Sequence, residues 1–488
     1  MSYTKRDLQQ FNEKVATELD SFWQDRAIDR DSVSRKLRTD LGTEDILDVF
    51  RREKRIHLSA EAGEGKSVAV VSSADRILKG QVPTMDSVIL MPLYRLMDHK
   101  VNSSQTLIEW MQANTPAKDS NPEFLTQLLH SSGTVVLMDG VDELASSSKR
   151  NEFGKGLNGL MVDFPEAQYL MVASRPLIHI PTVNQNFKKY EFEPLSDEEV
   201  ERVMQTELER IYTNPANSRF MISSSLDEFK CTRKRVKGYE HLLRNPSYLR
   251  LAALMNGEVP KFAADFLKEG MNAYLSYAKD NPESKGLGNK LTSDKELTIG
   301  QILINIIPVL QEMAYNLHTS GHRAMKKSDL QALSSWSSVK RYDSQDHRIL
   351  LPAEERSKLL ELLTLTAPFF GISHLDSNTG EPHYYFTHLG IQEYLVGAEL
   401  ANQIGKEKLG KNEEIISPLL NDPWWRQPLV YAASNEGIAP MVLKAIRSTK
   451  DEKFMADAYL FGQGSMSLDE KLRTDLEKSY RKFYENKN

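Results

Sequence analysis

A glycine-rich stretch that ends in Gly65-Lys66-Ser67 is the first part of the sequence whose residue types could do chemistry. A phosphate-binding P-loop needs the pattern G-x-x-x-x-G-K-[ST] between a strand and a helix. Its glycines let backbone N–H groups turn toward the phosphates, and the helix that follows adds the positive end of its dipole. Here alanine replaces the first glycine, and the candidate nucleotide-binding residues of the loop are Ala60, Glu61, Ala62, Gly63, Glu64, Gly65, Lys66 and Ser67.

Two residues of this loop have expected roles beyond the backbone. Lys66 would reach the β- and γ-phosphates of a nucleotide, and the Ser67 hydroxyl would be a ligand of Mg²⁺. The alternative is an ordinary strand-to-helix turn with a surface lysine. The apolar run RIHLS before the loop and the helical pattern after it favour the P-loop.

Acidic residues follow a second apolar run, TVVLMD. Asp139 ends this run at the position where a Walker B carboxylate holds Mg²⁺ through water. Asp142 and Glu143 come next, close enough for one of them to orient an attacking water; the alternative is a solvated acidic turn. Arg175 follows a third run, YLMVAS, where it could sense a γ-phosphate or form a salt bridge with a neighbouring loop. These four residues are the candidate catalytic residues.

The elements that position these residues follow from short apolar runs that alternate with helix-length segments. Two of the runs are continuously apolar, as in parallel strands covered on both faces. Residues 51–195 are therefore predicted to form an α/β domain with a parallel five-stranded sheet and flanking helices. The predicted strands are RIHLS, SVILMPL, TVVLMD, YLMVAS and KYEFEPL. Residues 1–50 are predicted to be a short helical segment, with apolar residues spaced three and four apart at Leu8, Phe11, Val15 and Leu19.

The pattern is helical after the α/β region, beginning with the capping box Ser196-x-x-Glu199. It predicts a helical domain over 196–290. Within 291–401, a helix, two short strands and a second helix predict a winged-helix domain. Residues 402–488 are predicted to form a short α-helical C-terminal domain.

The composition limits the class of protein. A length of 488 residues suggests about three domains. The single cysteine, Cys231, excludes an intramolecular disulfide and fits a reducing compartment. The net charge of −6 gives no reason to expect nucleic acid or an anionic membrane as a partner. The N-terminus lacks the apolar core of a secretory signal, and no apolar run approaches the roughly 20 residues of a membrane span. A cytoplasmic location is expected.

The motifs AEAGEGKS, VVLMDGVDEL and VASRP, in this order and spacing, resemble those of the NACHT family of signal-transducing P-loop ATPases. Two later stretches are similar to family motifs as well. NPSYLRLAAL resembles the helical-domain motif whose proline packs near the adenine, which implies that role for Pro246. YYFTHLGIQEYLVGAEL resembles the winged-helix signature whose histidine contacts the β-phosphate of ADP, which implies that role for His388. The residues alone also allow a helix cap at Asn245-Pro246 and an internally satisfied histidine at the strand-to-helix junction.

The resemblance implies a low-turnover ATPase that acts as a switch, with ATP or ADP and Mg²⁺ as cofactors. ADP would hold the winged helix on the ATPase domain, and exchange for ATP would release it and allow homo-oligomerisation. In this family the switch serves intracellular immunity, and bacterial members defend against bacteriophage. The short flanking segments are similar to those of compact bacterial members, so we expect an antiphage role and an activating ligand from the phage.

Two other functions remain open from the sequence. One is a transcription regulator of the same ATPase class that binds DNA through its winged helix. Against it, the helix before the two strands carries more acidic than basic residues, so it would repel DNA phosphates. Its charged residues are Glu354, Glu355, Arg356, Lys358 and Glu361. The other is a nucleotide-bound scaffold without turnover.

Overall fold

The structure is a computed structural model, which describes most of the chain. The described residues are 4–26, 35–40, 42–61, 63–96, 99–115, 122–144, 147–165, 169–174, 180–212, 218–236, 239–280, 306–342, 348–366, 369–375, 379–386, 389–406, 415–463 and 469–485. The chain divides into two compact units, Met1–Pro194 and Leu195–Asn488. The finer division of the second unit into helical, winged-helix and C-terminal domains stays a prediction.

A seven-stranded sheet forms the centre of the first unit, with the strand order β2-β1-β7-β3-β6-β5-β4. Its strands are β1 Lys36–Thr39, β2 Gly42–Asp45, β3 Arg55–Ser59, β4 Ser87–Pro92, β5 Thr134–Asp139, β6 Tyr169–Ser174 and β7 Lys188–Phe192. The five strands predicted from the sequence are all present, and neighbours among them run parallel. All of β5 except Asp139 is buried, as expected for a strand covered on both faces.

The two remaining strands correct the prediction of a wholly helical segment over residues 1–50. β1 and β2 pair antiparallel, and β1 extends the sheet beyond β7 by pairing Leu37 with Phe192. Leu37 is fully buried, whereas the other residues of the two strands are exposed or half-buried. Gly42 at the turn has a φ of 108°, a conformation that glycine adopts without strain. Pairing with β7 therefore decides the conformation here, where the local apolar pattern is weak.

Helices surround the sheet of the first unit. They are α1 Lys5–Arg26, α2 Ile46–Arg52, α3 Lys66–Leu78, α4 Ser104–Asn114, α5 Pro122–Leu129, α6 Ser147–Asp163 and α7 Pro181–Asn186. α3 packs over β4, β5 and β6. The apolar stripe predicted at the N-terminus is present in α1, where Phe11, Val15 and Leu19 are buried against the core. α1 contacts β4 and α3, so the N-terminal helix is an integral part of this unit.

The second unit is mainly helical. Its helices are α8 Asp197–Ile211, α9 Ser218–Arg233, α10 Pro246–Leu254, α11 Ala263–Asp280, α12 Ile307–Ser320, α13 Lys327–Gln331, α14 Ala353–Thr366, α15 Leu389–Lys406, α16 Arg426–Ala432, α17 Ala439–Ser448, α18 Glu452–Gly462 and α19 Glu470–Tyr480. The predicted capping box begins α8: the Ser196 hydroxyl accepts the Glu199 N–H, and the Glu199 carboxylate accepts the Ser196 N–H.

Short strands interrupt the second unit. They are β8 Ala324–Lys326, β9 Lys340–Tyr342, β10 Arg348–Leu350, β11 Phe370–Leu375 and β12 Pro382–Phe386. The predicted pair of strands after α14 is confirmed as β11 and β12, which are antiparallel and lead into α15. β8 adds a third strand to their sheet, an addition that the sequence did not predict. Within the described part of the chain, no helix is both long and apolar enough to cross a membrane.

Candidate functional site

The P-loop pattern lies at the end of a buried strand, as predicted. β3 is buried along most of its length and ends at Ser59. The next residue, Ala60, is also buried, and its N–H donates to the carbonyl of Ser174 at 3.0 Å. This bond joins the root of the loop to the end of the neighbouring strand β6.

Two glycines give the loop its shape. Gly63 and Gly65 have φ values of 79° and 95°, which side-chain-bearing residues adopt only with strain. Gly65 is the N-cap of α3, and no side chain caps the helix there. A Cβ atom added at Gly65 would meet nothing within 4 Å, so the space beside the helix start is open. The first N–H groups of a helix have no acceptor within it. The start of α3 therefore combines backbone N–H groups without an acceptor inside the helix, the positive helix end and open space beside Gly65.

Lys66, in the first turn of α3, folds back over the loop. Its Nζ donates to the carbonyl of Ala60 at 2.8 Å and to that of Glu61 at 3.0 Å. An ammonium group has three N–H donors, so these two bonds leave one for an anion. Ser67 follows in the same turn and is half-buried.

Glu64 places a carboxylate inside the loop. Its Oε2 accepts the N–H of Glu61 at 2.7 Å. Burial raises the pKa of Glu64, and the nearby Glu61 carboxylate raises it further. The Glu61 N–H bond and the charges of Lys66 and Arg35 oppose this rise in pKa. The loop thus contains an acidic group whose charged form is disfavoured.

The predicted Walker B residues lie at the end of β5. Asp139 is the last residue of the strand and is half-buried. Gly140 follows with a φ of 82° and begins a 3-10 turn over Val141–Glu143. The Glu143 N–H donates to the Gly140 carbonyl at 2.9 Å, and a Cβ atom at Gly140 would lie 3.3 Å from Glu143 Cδ. The turn therefore returns the Glu143 side chain to the residue that follows Asp139. The Asp142 side chain lies outside the described residues.

The sheet brings the loop and these acidic residues to one edge. β6 lies between β3 and β5, and all three run parallel. Val172 of β6 pairs with both His57 and Met138, so Asp139 is level with the last part of β3. Ligands of open α/β sheets bind outside the carboxyl ends of the strands. This edge is where the sequence predicted phosphate and metal chemistry.

The described structure says less about the predicted roles of four further positions. Ala62, Arg175 and His388 lie outside the described residues, so their roles stay predictions. Pro246 is the first residue of α10 in the second unit, directly after the N-cap Asn245, whose Oδ1 accepts the Ser247 N–H at 3.0 Å. This is the capping arrangement that the sequence allowed, and a contact of Pro246 with adenine stays a prediction.

Two buried polar contacts were missed by the sequence analysis. In the first unit, His57 Nε2 lies 2.7 Å from Ser174 Oγ. In the second unit, the buried Arg323 guanidinium donates to the Phe386 carbonyl at 3.3 Å and to Gln392 Oε1. His57 stands out as a polar residue within the apolar run RIHLS, but that signal does not identify a partner distant in sequence. Arg323 lies in a polar stretch, so the sequence gives no comparable signal for it.

The residues present fit Mg²⁺ better than a metal held wholly by protein. No group of three or more His, Cys, Asp or Glu side chains suited to a metal ion occurs among the described residues. Mg²⁺ in phosphate sites commonly takes one or two protein oxygen ligands and completes its shell with phosphate and water. The Ser67 hydroxyl and the Asp139 carboxylate, the latter through water, are of the type required.

No protein-family model matches the chain, and no curated protein matches it in sequence.

Proposed function

We propose that the chain is an ATP-binding, slowly hydrolysing molecular switch of the NACHT type. One observation carries the proposal: α3 begins without a side-chain cap at Gly65, at the carboxyl edge of a parallel sheet, with the Lys66 ammonium folded onto the loop. Backbone donors, a helix dipole and a cation together suit the β- and γ-phosphates of a nucleotide. The resemblance to family motifs, which extends beyond this loop, supports the same assignment.

Binding and hydrolysis use different residues in this proposal. The loop amides and Lys66 bind the phosphates. The Ser67 hydroxyl and the Asp139 carboxylate hold Mg²⁺, which when bound neutralises phosphate charge. Glu143 orients the attacking water and accepts its proton, a role supported by its position beside Gly140, next to Asp139. Arg175 stabilises charge on the γ-phosphate.

The bound nucleotide controls assembly. ADP contacts Pro246 and His388 and stabilises a closed form, and ATP favours an open form that oligomerises. A ligand shifts such an equilibrium only through its different affinities for the two forms. A shift from 1:99 to 99:1 requires a difference of roughly 5.5 kcal/mol. We expect His388→Ala to assemble without stimulus, since it removes one contact specific to ADP.

The biological role that we propose is defence of a bacterial cell against bacteriophage. The test is plating efficiency of a phage panel on bacteria that express the wild type, Lys66→Ala or no protein, with equal expression confirmed by immunoblot. We expect fewer plaques with the wild type alone. Equal plating on all three strains across a broad panel would contradict the antiphage role.

The structure of α14 weighs against the alternative of a DNA-binding regulator. Arg356 donates to the carbonyls of Leu351 and Gln331 and lies 5.3 Å from the centre of the Trp336 ring. Lys358 pairs with Glu354 at 2.7 Å. Arg356 is therefore engaged within the unit. Lys358 lies beside an acidic residue in an exposed pair, so this helix offers DNA phosphates little net positive charge.

A further inference from the structure

A buried histidine connects the root of the phosphate loop to the next strand. His57 is 5% exposed and belongs to β3, which leads directly into the loop. Its Nε2 lies 2.7 Å from the Oγ of Ser174, the last residue of β6. The Ser174 carbonyl accepts the Ala60 N–H at 3.0 Å. Ser174 is thus tied to the loop strand on both sides of the strand end, once through its side chain and once through its backbone.

The side-chain bond is not needed to satisfy the backbone pairing of the sheet. β3 and β6 pair in regular parallel register from Arg55 with Leu170 to Ser59 with Ser174. An aliphatic residue at position 57 would fill a buried strand position without the cost of burying a polar ring. Burial, aided by the charge of Lys189, lowers the pKa of His57 to about 4, so the ring is neutral near pH 7. A neutral imidazole has one nitrogen that donates and one that accepts, so its hydrogen bond with Ser174 fixes the relative orientation of the two side chains.

We propose that His57 is a positioning residue for ATP hydrolysis. Through Ser174 it fixes the end of β6 against the root of the phosphate loop. Nucleotide held on the loop is thereby aligned with Asp139 and Glu143 at the end of β5, the strand that pairs with β6. This inference rests on the proposed ATPase function and adds to it a residue that touches neither nucleotide nor metal.

The expected signature is a loss of kcat with little change in nucleotide binding. The substitution leaves unchanged the loop amides between β3 and α3 and the Lys66 side chain in α3. We therefore expect the affinity for ADP to be retained. Hydrolysis depends on the alignment between neighbouring strands, and a misplacement of about 1 Å can cost on the order of 100-fold in rate. We expect His57→Leu to lower kcat about 10- to 100-fold and to change KM and the Kd for ADP by no more than about twofold.

The chain offers a matched control for the loss of a buried cross-strand bond. Ser87 and Thr134 begin β4 and β5, are fully buried, and are joined by a side-chain hydrogen bond of 2.8 Å. They lie at the opposite end of their strands from the loop. Ser87→Ala therefore removes a similar bond from the same sheet without disturbing the alignment at the site, and its kcat should equal that of the wild type.

The experiment measures steady-state ATP hydrolysis, ADP affinity and thermal unfolding of the full chain for the wild type, His57→Leu, His57→Gln and Ser87→Ala. Glutamine offers both a donor and an acceptor, so it should restore most of the kcat that leucine loses. Ser174→Ala removes the same contact with a smaller change in volume and should behave like His57→Leu, which keeps the test valid if the leucine variant does not fold.

The results separate this inference from the proposed function. A wild-type kcat in both His57→Leu and Ser174→Ala, or a loss no greater than that of Ser87→Ala, would overturn the role of His57 while leaving the ATPase intact. The proposed function would be overturned if the wild type bound no nucleotide, or if its binding did not depend on Lys66. The role of His57 would then be overturned as well.

Discussion

The Glu64 carboxylate accepts the backbone N–H of Glu61 at 2.7 Å, within the loop that we assign to phosphate. A negative charge at this position opposes the binding of an anionic nucleotide. The effect is moderated because burial raises the pKa of Glu64 and makes its neutral form more accessible. We therefore expect this charge to weaken nucleotide binding to the loop and to make that binding depend on pH.

Glu64→Gln should tighten ADP binding. Glutamine keeps an acceptor for the Glu61 N–H and removes the charge, and we expect affinity at pH 7.5 to rise about three- to tenfold. In the wild type, ADP binds better to the protonated form of Glu64, so affinity should rise as pH falls toward the raised pKa of that residue. The variant lacks this contribution. Titrations of both proteins with a fluorescent ADP analogue from pH 5.5 to 8 measure the difference, and identical pH slopes would exclude a role for Glu64.

Glu143→Gln should separate binding from turnover. The turn over Val141–Glu143 places this side chain beside Gly140, at the end of β5. The proposed phosphate loop follows a different strand, β3, so the substitution should leave that loop unchanged. Loss of the carboxylate removes a base, so we expect kcat to fall about 100-fold or more with ATP affinity unchanged within about threefold. Phosphate release and equilibrium ATP binding provide the two readouts. Full turnover in this variant would transfer the role to Asp142 or another residue, and a wild-type rate of zero would favour the scaffold alternative.

Most of the fold of the first unit was predictable because its strands are short, apolar and bounded by turns. RIHLS and TVVLMD coincide with β3 and β5 to the residue. β1 was not predictable, since Leu37 is its only buried residue and its pairing partner, β7, lies far along the chain. Local pattern finds elements that bury a continuous run and misses those whose conformation depends on a distant strand.

The candidate site was predictable only in part, for a related reason. Motif spacing selects the loop and Asp139 as candidates because each lies where an apolar strand ends, a position that the local sequence pattern predicts. His57 is 117 positions from Ser174, and Arg323 is 69 positions from Gln392. Each of these contacts depends on packing between distant segments, which a single sequence does not encode in any local pattern.

Arg323→Lys should loosen the junction between β12 and α15. The guanidinium donates to the Phe386 carbonyl before the junction and to Gln392 Oε1 after it. A lysine ammonium lacks the planar fork of donors needed for both contacts. We expect faster amide hydrogen exchange in peptides from 382–395, equivalent to a local stability loss of about 2 kcal/mol. Arg219→Lys, at an exposed position on α9, is the control. Unchanged exchange in Arg323→Lys would mean that the contact does not hold the junction.

His57 should make the stability of the chain depend on pH. Its folded pKa is about 4 and its ordinary value is 6.5, so the unfolded chain binds the proton more tightly. The contribution of His57 to the free energy of unfolding is therefore fully present above about pH 6.5 and is lost as the pH falls toward 4. At pH 5 this contribution amounts to a loss of about 2 kcal/mol relative to pH 7.

Urea unfolding of the wild type and His57→Gln at pH 7 and pH 5 measures this loss. The variant has no titrating group at position 57, so its stability should fall by about 2 kcal/mol less than that of the wild type between the two pH values. Equal losses in the two proteins would show that His57 does not stay neutral in the folded state.

The most direct measurement is the equilibrium binding of ADP and ATP, with Mg²⁺, to the purified full chain and to Lys66→Ala. Lys66 holds the loop through the carbonyls of Ala60 and Glu61 and has one donor left for phosphate. We predict saturable binding by the wild type and an affinity at least about 100-fold lower in the variant, a difference of roughly 2.7 kcal/mol. Equal affinity in the two proteins, or no binding by the wild type, would contradict the assignment of this loop to phosphate.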